Sequence, residues 1–391
     1  MDPITHALSG ALLARAIAAR TSRGAAPTAA LPIAAAATTA APSGRWSAPW
    51  DGRAGAPALW QCVVAGTLAA VAPDIDFVVQ WFGDIAYLRH HRGLTHSALM
   101  LPIWALLLAW LLSKSFAVTR AQRGGWRSFY VLAAGGLALH LAGDWITQFG
   151  TMLLQPLSNH RFGLGAVFII DLVLSGTLVA GLALAAFFPR RRWPAALGLA
   201  AAVAWVVFAW TGQQAAREVG LAHAKAVGIA APVVEVMPRP ASPFNWTISV
   251  ADGDRYEVAH INTRRNAPVH AGPDANFVRR FTAPYLPVNE APWHTQTRYG
   301  GNDAPAWIRS AWQAEGFGFF RWFALAPVLA RHDETVGADG VRERCAWFSD
   351  LRFDFPGREV APFTYGVCLK GEGNAAAARV YKLEDGAREP L

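Results

Sequence analysis

Residues 90–97 read HHRGLTHS and run straight into ALMLPIWALLLAWLL at 98–112. Three histidines and an arginine therefore crowd the mouth of a run apolar enough for a helix in lipid. Taken alone, the cluster fits a basic anchor at a membrane surface, a turn, or one wall of a metal site. The choice depends on what the rest of the chain places at the same level.

Other apolar runs occupy 5–19, 58–72, 128–150, 166–188 and 194–210. A spanning helix needs roughly 20 apolar residues. The runs 128–150 and 166–188 meet that length, 97–112 and 194–210 fall slightly short, and 5–19 and 58–72 are marginal. Basic residues alternate between the connections. Arg15, Arg20, Arg23, Arg45 and Arg53 lie in 15–57, Lys114, Arg120, Arg123 and Arg127 in 113–127, and Arg190, Arg191 and Arg192 in 189–193. The opposite connections, 74–96 and 149–165, are poorer in them. The positive-inside rule then places the basic loops in the cytoplasm and the N-terminus outside.

The expected fold is an all-α polytopic membrane bundle of about six apolar helices over residues 1–211. Its 24–57 stretch, rich in Ala, Pro, Gly and Ser, reads as a flexible cytoplasmic loop. Residues 212–391 read as a smaller β-rich or α+β domain outside the cytoplasm. There WTISVADGDRYEVAHI and CAWFSDLRFDF alternate as strands do, with turn signals at DGD, FPGR and KGEG. GFGFFRWFALAPVLARH reads as a helix or an amphipathic surface segment.

Composition agrees with a membrane protein. Hydrophobic residues make up 53% and charged residues 16%, and the mean hydropathy is +0.23. The net charge of +8 comes from short arginine clusters beside apolar runs, without the interleaved aromatics of a nucleic-acid surface. Membrane lipids are the expected partners, and nucleic acid is not. The cysteines are Cys62, Cys345 and Cys368, and no CxxC occurs. Cysteine-based metal or redox chemistry is therefore not expected; Cys345 and Cys368 are free to pair if their compartment is oxidising. The N-terminus lacks the basic region of a cleaved signal peptide.

Ionisable residues in or beside apolar runs are costly and are functional candidates by default. Here they are His6, Asp74, Asp76, His90, His91, His96, His140, Asp144 and Asp171, and the expected topology puts all of them at the outer ends of the runs. His140 and Asp144, in HLAGD, stand at i and i+4 on one helix face. Mixed His and Asp donors suit zinc, and also manganese or iron. Asp74 and Asp76, in PDID, would diverge on a helix, so one can ligate while the other orients a histidine. Arg92 suits an anionic substrate group or a lipid headgroup.

In order, MDPITHALSG, PDID, HHRGLTHS, HLAGDWITQFG and IIDLVLSG resemble the bacterial inner-membrane proteins called metal-dependent hydrolases of the YbcI/YdjM type. The resemblance covers roughly residues 1–210. It implies a remote likeness to zinc-dependent phospholipase C and the P1-type nucleases, whose HxxxD pair His140 and Asp144 match. The expectation is an inner-membrane hydrolase, with its site facing the periplasm or cell exterior, that cleaves a phosphoester or related ester of a lipid-like, anionic substrate. One or two divalent ions, zinc first, would be held by His6, Asp76, His91, His96, His140 and Asp144. Asp74 or Asp171 would act as base or orienting group, and Arg92 would hold the substrate's charge. The rival reading is a non-catalytic membrane protein with a structural metal site and a partner-binding outer domain. A transporter would spread its polar residues through the membrane depth, and these cluster.

Overall fold

Every one of those apolar runs forms helix in the computed structural model, which describes residues 1–18, 56–301, 303–336, 340–371, 378–384 and 386–391. The helices are α1 (Pro3–Ala18), α2 (Leu59–Val71), α3 (Asp84–His90), α4 (Leu101–Ser115), α5 (Ala117–Arg120), α6 (Arg127–Trp145), α7 (Leu172–Phe187) and α8 (Trp193–Ala226). A 3-10 stretch, Ala72–Phe82, continues α2, and a short 3-10 turn, Leu94–His96, precedes α4. Most of the proposed loop 24–57 lies outside the described residues.

The expectation of about six apolar membrane helices is corrected. Among the described residues, two helices are long and apolar enough to cross a membrane: Leu59–Phe82, with 24 residues, and α8, with 34. A third exists only if Asp84–His96 and α4 count as one span bent by 79°. For the shorter helices the reason is length; α6 has 19 residues, and there Arg127, His140 and Asp144 lower its apolar character instead. A helix rises 1.5 Å per residue, so the 16 residues of α1 or α7 reach about 24 Å, short of a hydrocarbon core of about 30 Å. The alternating topology built on six crossings goes with them.

Small residues let these helices meet closely. A Cβ on Gly66 would stand 2.6 Å from the Gly10 carbonyl oxygen and 2.9 Å from the Ala14 side chain, so α1 and α2 cross almost backbone to backbone. Gly136 on α6 likewise lies against Ala69 and Ala70. Such small-residue contacts are how helices associate where apolar burial gives little drive. They also fix the start of α1 beside the end of α2 and the end of α6.

α8 runs unbroken past the 211/212 boundary. Its first turns follow Arg190–Arg192; its last turns present Gly212, Ala216, Gly220 and Ala224 to a sheet. That sheet contains β1 (Val233–Pro238), β2 (Asn245–Asp252) and β3 (Arg255–Asn262) as an antiparallel meander. The DGD turn joins β2 to β3, with Gly253 at φ 61°. A short helix, α9 (Phe277–Thr282), precedes β4 (Leu286–Pro287), which pairs parallel to β3, and β5 (His294–Thr297), which pairs antiparallel to it. Helices α10 (Trp307–Gln313) and α11 (Gly318–Phe323) lead to a second sheet. Its strands β6 (Pro327–Val336), β7 (Arg342–Asp350), β8 (Tyr365–Lys370), β9 (Arg379–Glu384) and β10 (Ala387–Pro390) pair antiparallel in sequence order. GFGFFRWFALAPVLARH thus divides between α11 and β6. Cys345 and Cys368 face each other across β7 and β8 and are disulfide-bonded.

The second sheet is joined to the helical half by a shared core. Leu88 and Phe149 bury with Trp312, Phe317, Phe320, Phe323 and Phe348. Arg352 donates to the Phe149 carbonyl at 3.2 Å, and Gln148 donates to the Arg352 carbonyl at 2.9 Å. Lys382 pairs with Asp84 at 2.8 Å. The sheets therefore clamp the loop that follows α6.

Candidate metal centre

Four side chains from three segments converge at the C-terminal end of α6. His140 and Asp144 come from α6, His96 from the turn before α4, and Asp74 from the 3-10 continuation of α2. One donor atom from each lies within 4.8 Å of all the others. His96 Nε2 stands 3.2 Å from Asp144 Oδ2 and 3.5 Å from Asp74 Oδ1; His140 Nε2 stands 3.5 Å from each of those oxygens. The two imidazole nitrogens are 2.9 Å apart.

Their outer hydrogen bonds fix the tautomers. His140 Nδ1 lies 2.6 Å from the Ala70 carbonyl, which can only accept, so the proton is on Nδ1. His96 Nδ1 lies 3.1 Å from Asp76 Oδ2, and a carboxylate partner places that proton outward too. Both Nε2 lone pairs then face inward, at each other and at two carboxylate oxygens. Asp144 Oδ2 is buried with no hydrogen-bond donor. With both rings neutral, two lone pairs and two anionic oxygens at this distance repel; either protons on the Nε2 atoms or a metal cation among them relieves this. Donor set, tautomers and orphaned oxygen all fit a divalent ion.

Asp76 stands behind this group. It accepts from the Arg92 backbone N–H at 3.0 Å and from Thr95 Oγ1 at 2.9 Å, and meets His91 Nδ1 at 2.8 Å. One carboxylate thus orients His96 and pins the HHRGLTHS loop. Arg92 adopts φ 60°, a conformation a non-glycine residue keeps only where its surroundings enforce it. Its guanidinium reaches Asp144 Oδ1 at 3.1 Å and Thr147 Oγ1 at 3.1 Å and lies 4.9 Å from the Phe149 ring.

The remaining sequence candidates distribute around the four. His6 stacks on His140 with ring centroids 3.7 Å apart, and its Nε2 is 3.3 Å from Asp144 Oδ1. The Met1 amino group also contacts Asp144. His91 is not among the four donors: its Nδ1 meets Asp76, and its ring stacks on Tyr87 at 4.5 Å and stands edge-on to His96 at 6.0 Å. His90 is exposed. Asp171 is elsewhere: its Oδ1 caps α7 through the N–H groups of Val173 and Leu174, and its Oδ2 accepts from Trp205. Sequence reasoning missed the Ala70 carbonyl, Thr95 and Thr147, which carry no signal beyond being ordinary backbone and hydroxyl groups. It also missed Arg161, stacked over Phe149 at 4.9 Å. Burial, with Arg352 and Arg92 nearby, pushes the Arg161 guanidinium below its ordinary pKa.

A membrane-embedded helical frame that ends in a buried His–Asp centre defines the class of this molecule. Residues 1–216 match the sequence profile of the YdjM inner membrane protein family, and the chain belongs to that family. It is also similar to the uncharacterized protein YfhP of Bacillus subtilis, 28% identical over 116 residues, which is 29% of this chain and 34% of that protein. The matched stretch thus spans about a third of the Bacillus protein. No solved structure matches, and the remote likeness to zinc-dependent phospholipase C and P1 nuclease is not shown.

Proposed function

We propose that this protein is an inner-membrane metal-dependent hydrolase acting on a phosphoester or related ester of a lipid-like substrate. The observation that carries the reading is the convergence of two inward-facing Nε2 lone pairs with the carboxylates of Asp74 and Asp144. Zinc suits that His2Asp2 set best, and manganese or iron is compatible with it. A divalent ion there would supply a Lewis acid that makes water nucleophilic near neutral pH and polarises the ester's oxygen.

The chain's own groups have definable tasks. Asp76 and the Ala70 carbonyl hold His96 and His140 with their lone pairs inward. Arg92 offsets the charge of Asp144 and, at the edge of the centre, suits an anionic substrate oxygen. Asp74 marks the way in, since its side chain is 24% exposed while those of His96, His140 and Asp144 are at most 1% exposed. It is also the group placed to accept a proton from water entering on that side. The disulfide favours an oxidising compartment for the sheets, which supports an outward-facing site.

A second reading has one observation in its favour. Four protein donors complete a tetrahedral zinc shell, as in structural sites, so the ion could instead staple α6 to the segments around it. Incubating zinc-loaded protein with bacterial lipid extract, with and without chelator, separates the two. Hydrolysis products that need the metal support the hydrolase; a tightly held ion with no turnover of any ester supports the staple.

A further inference from the structure

An apolar cavity lies beside residues 166–173. It measures about 630 Å³ and opens between α7, α8 and the first sheet, walled by Phe168, Trp205, Trp246, Phe281 and Phe355. That volume lies within the roughly 300–1,000 Å³ usual for small-molecule sites. Its rim is apolar and uncovered: Ile170, Leu172, Phe277 and Phe281 are 55%, 65%, 61% and 41% exposed. Phe277 and Phe281 share one face of α9, so an apolar edge projects beside α8, the helix long enough to cross a membrane. An apolar edge in that position is suited to the boundary of a bilayer. By helix rise, Trp205 and Ala209 stand about 18–24 Å along α8 from its start, near the far side of a 30 Å hydrocarbon core.

Among the polar groups in the wall are two arginines and a buried indole N–H without a partner, beside Ser242 and Asn245. Arg239 is 2% exposed. Its guanidinium donates to Thr247 Oγ1 and to the carbonyls of Leu351 and Arg352, and among the described residues no carboxylate pairs with it. Arg358 lines the mouth, is exposed, and is bonded to the Val360 carbonyl. Trp246 Nε1 is buried without a partner. The one acid in the lining, Asp171, is committed to the α7 cap and to Trp205.

We propose that this cavity holds an acyl chain of an anionic phospholipid from the surrounding bilayer, with the charged headgroup on the Arg239–Arg358 side. The apolar walls take the chain, and the exposed Arg358, with Arg239 in the same wall, takes the negative charge. The proposal rests on the membrane placement of α8 and is independent of catalysis at the metal centre.

The test places the full-length protein in nanodiscs with phosphatidylglycerol carrying a photoactivatable diazirine on one acyl chain. After photolysis, the adducts are mapped by peptide mass spectrometry. The expected result is adducts on Trp246 and Phe168 inside the cavity, several-fold stronger than with a phosphatidylcholine probe of the same chain. Ala209→Trp should fill the cavity and remove those adducts while labelling of the exposed α8 residues Val203 and Val207 persists, and Arg358→Glu should abolish the phosphatidylglycerol preference. Adducts confined to Val203 and Val207 would overturn the proposal, as would equal labelling by the two lipids. His140→Ala should label like the unmodified protein, so a failure of the hydrolase reading leaves this result intact.

Discussion

At the scale of single residues, the function of the centre depends on which side of an imidazole carries the proton. Asp76 holds that choice for His96. Asp76→Asn should therefore lower metal affinity by roughly 10–100-fold without removing a donor, as competition with a fluorescent zinc chelator would read. The sequence reading assigns Asp76 to the metal and Asp74 to the base or orienting role; the structure reverses these places, with Asp74 among the four converging donors and Asp76 hydrogen-bonded behind them. In a 3-10 stretch each residue turns about 120°, so positions two apart face different directions, and only the tertiary contacts decide which one meets His140. The His140–Asp144 pair was legible because the i, i+4 spacing fixes a shared face whatever surrounds it. A different histidine carries a pH dependence. Burial, with Arg239 and His294 nearby, pushes His260 down to about 4 from an ordinary 6.5. Between those values the unfolded chain binds the proton and the folded one does not. Stability should be full above pH 6.5 and fall as the pH drops toward 4, by at most roughly 3 kcal/mol. His260→Gln should flatten that part of the profile in thermal unfolding followed against pH.

At the scale of elements, the α1–α2 crossing sets where His6 sits relative to α6. A Cβ at Gly10 would collide with the Gly66 carbonyl, and Gly10→Val adds further bulk at the same point. We expect a loss of about 1–3 kcal/mol or more, measured as thermal unfolding in detergent, with weaker metal retention because the helices must part. Helix positions were legible from the apolar runs, whereas the number of membrane crossings was not. An alanine- and leucine-rich run of 15 or 16 residues looks the same whether lipid or other helices cover it, and α1 buries His6, Leu12, Ala14, Arg15 and Ala18 inside the protein. Arg15 shows the difference. It was counted as a cytoplasmic loop charge, yet it is 9% exposed and donates to the carbonyls of Ala185 and Pro189 at the end of α7.

At the scale of the whole molecule, the sheets and the centre act as one body through Phe149, Arg352 and the Lys382–Asp84 pair. The Cys345–Cys368 bridge closes a loop with a sequence separation of 23, worth about 3 kcal/mol by chain entropy. Cys345→Ser with Cys368→Ser should lower the unfolding temperature by several degrees, with the metal still bound at lower temperature. The central claim is that His96, His140, Asp74 and Asp144 hold a divalent ion. The measurement that tests it most directly is metal content, by plasma mass spectrometry, of purified unmodified protein beside His140→Ala, Asp144→Ala and the exposed control His90→Ala. The account predicts a stoichiometric divalent ion in the unmodified protein and in His90→Ala, and its loss in the other two. Unchanged metal content in both His140→Ala and Asp144→Ala would contradict it.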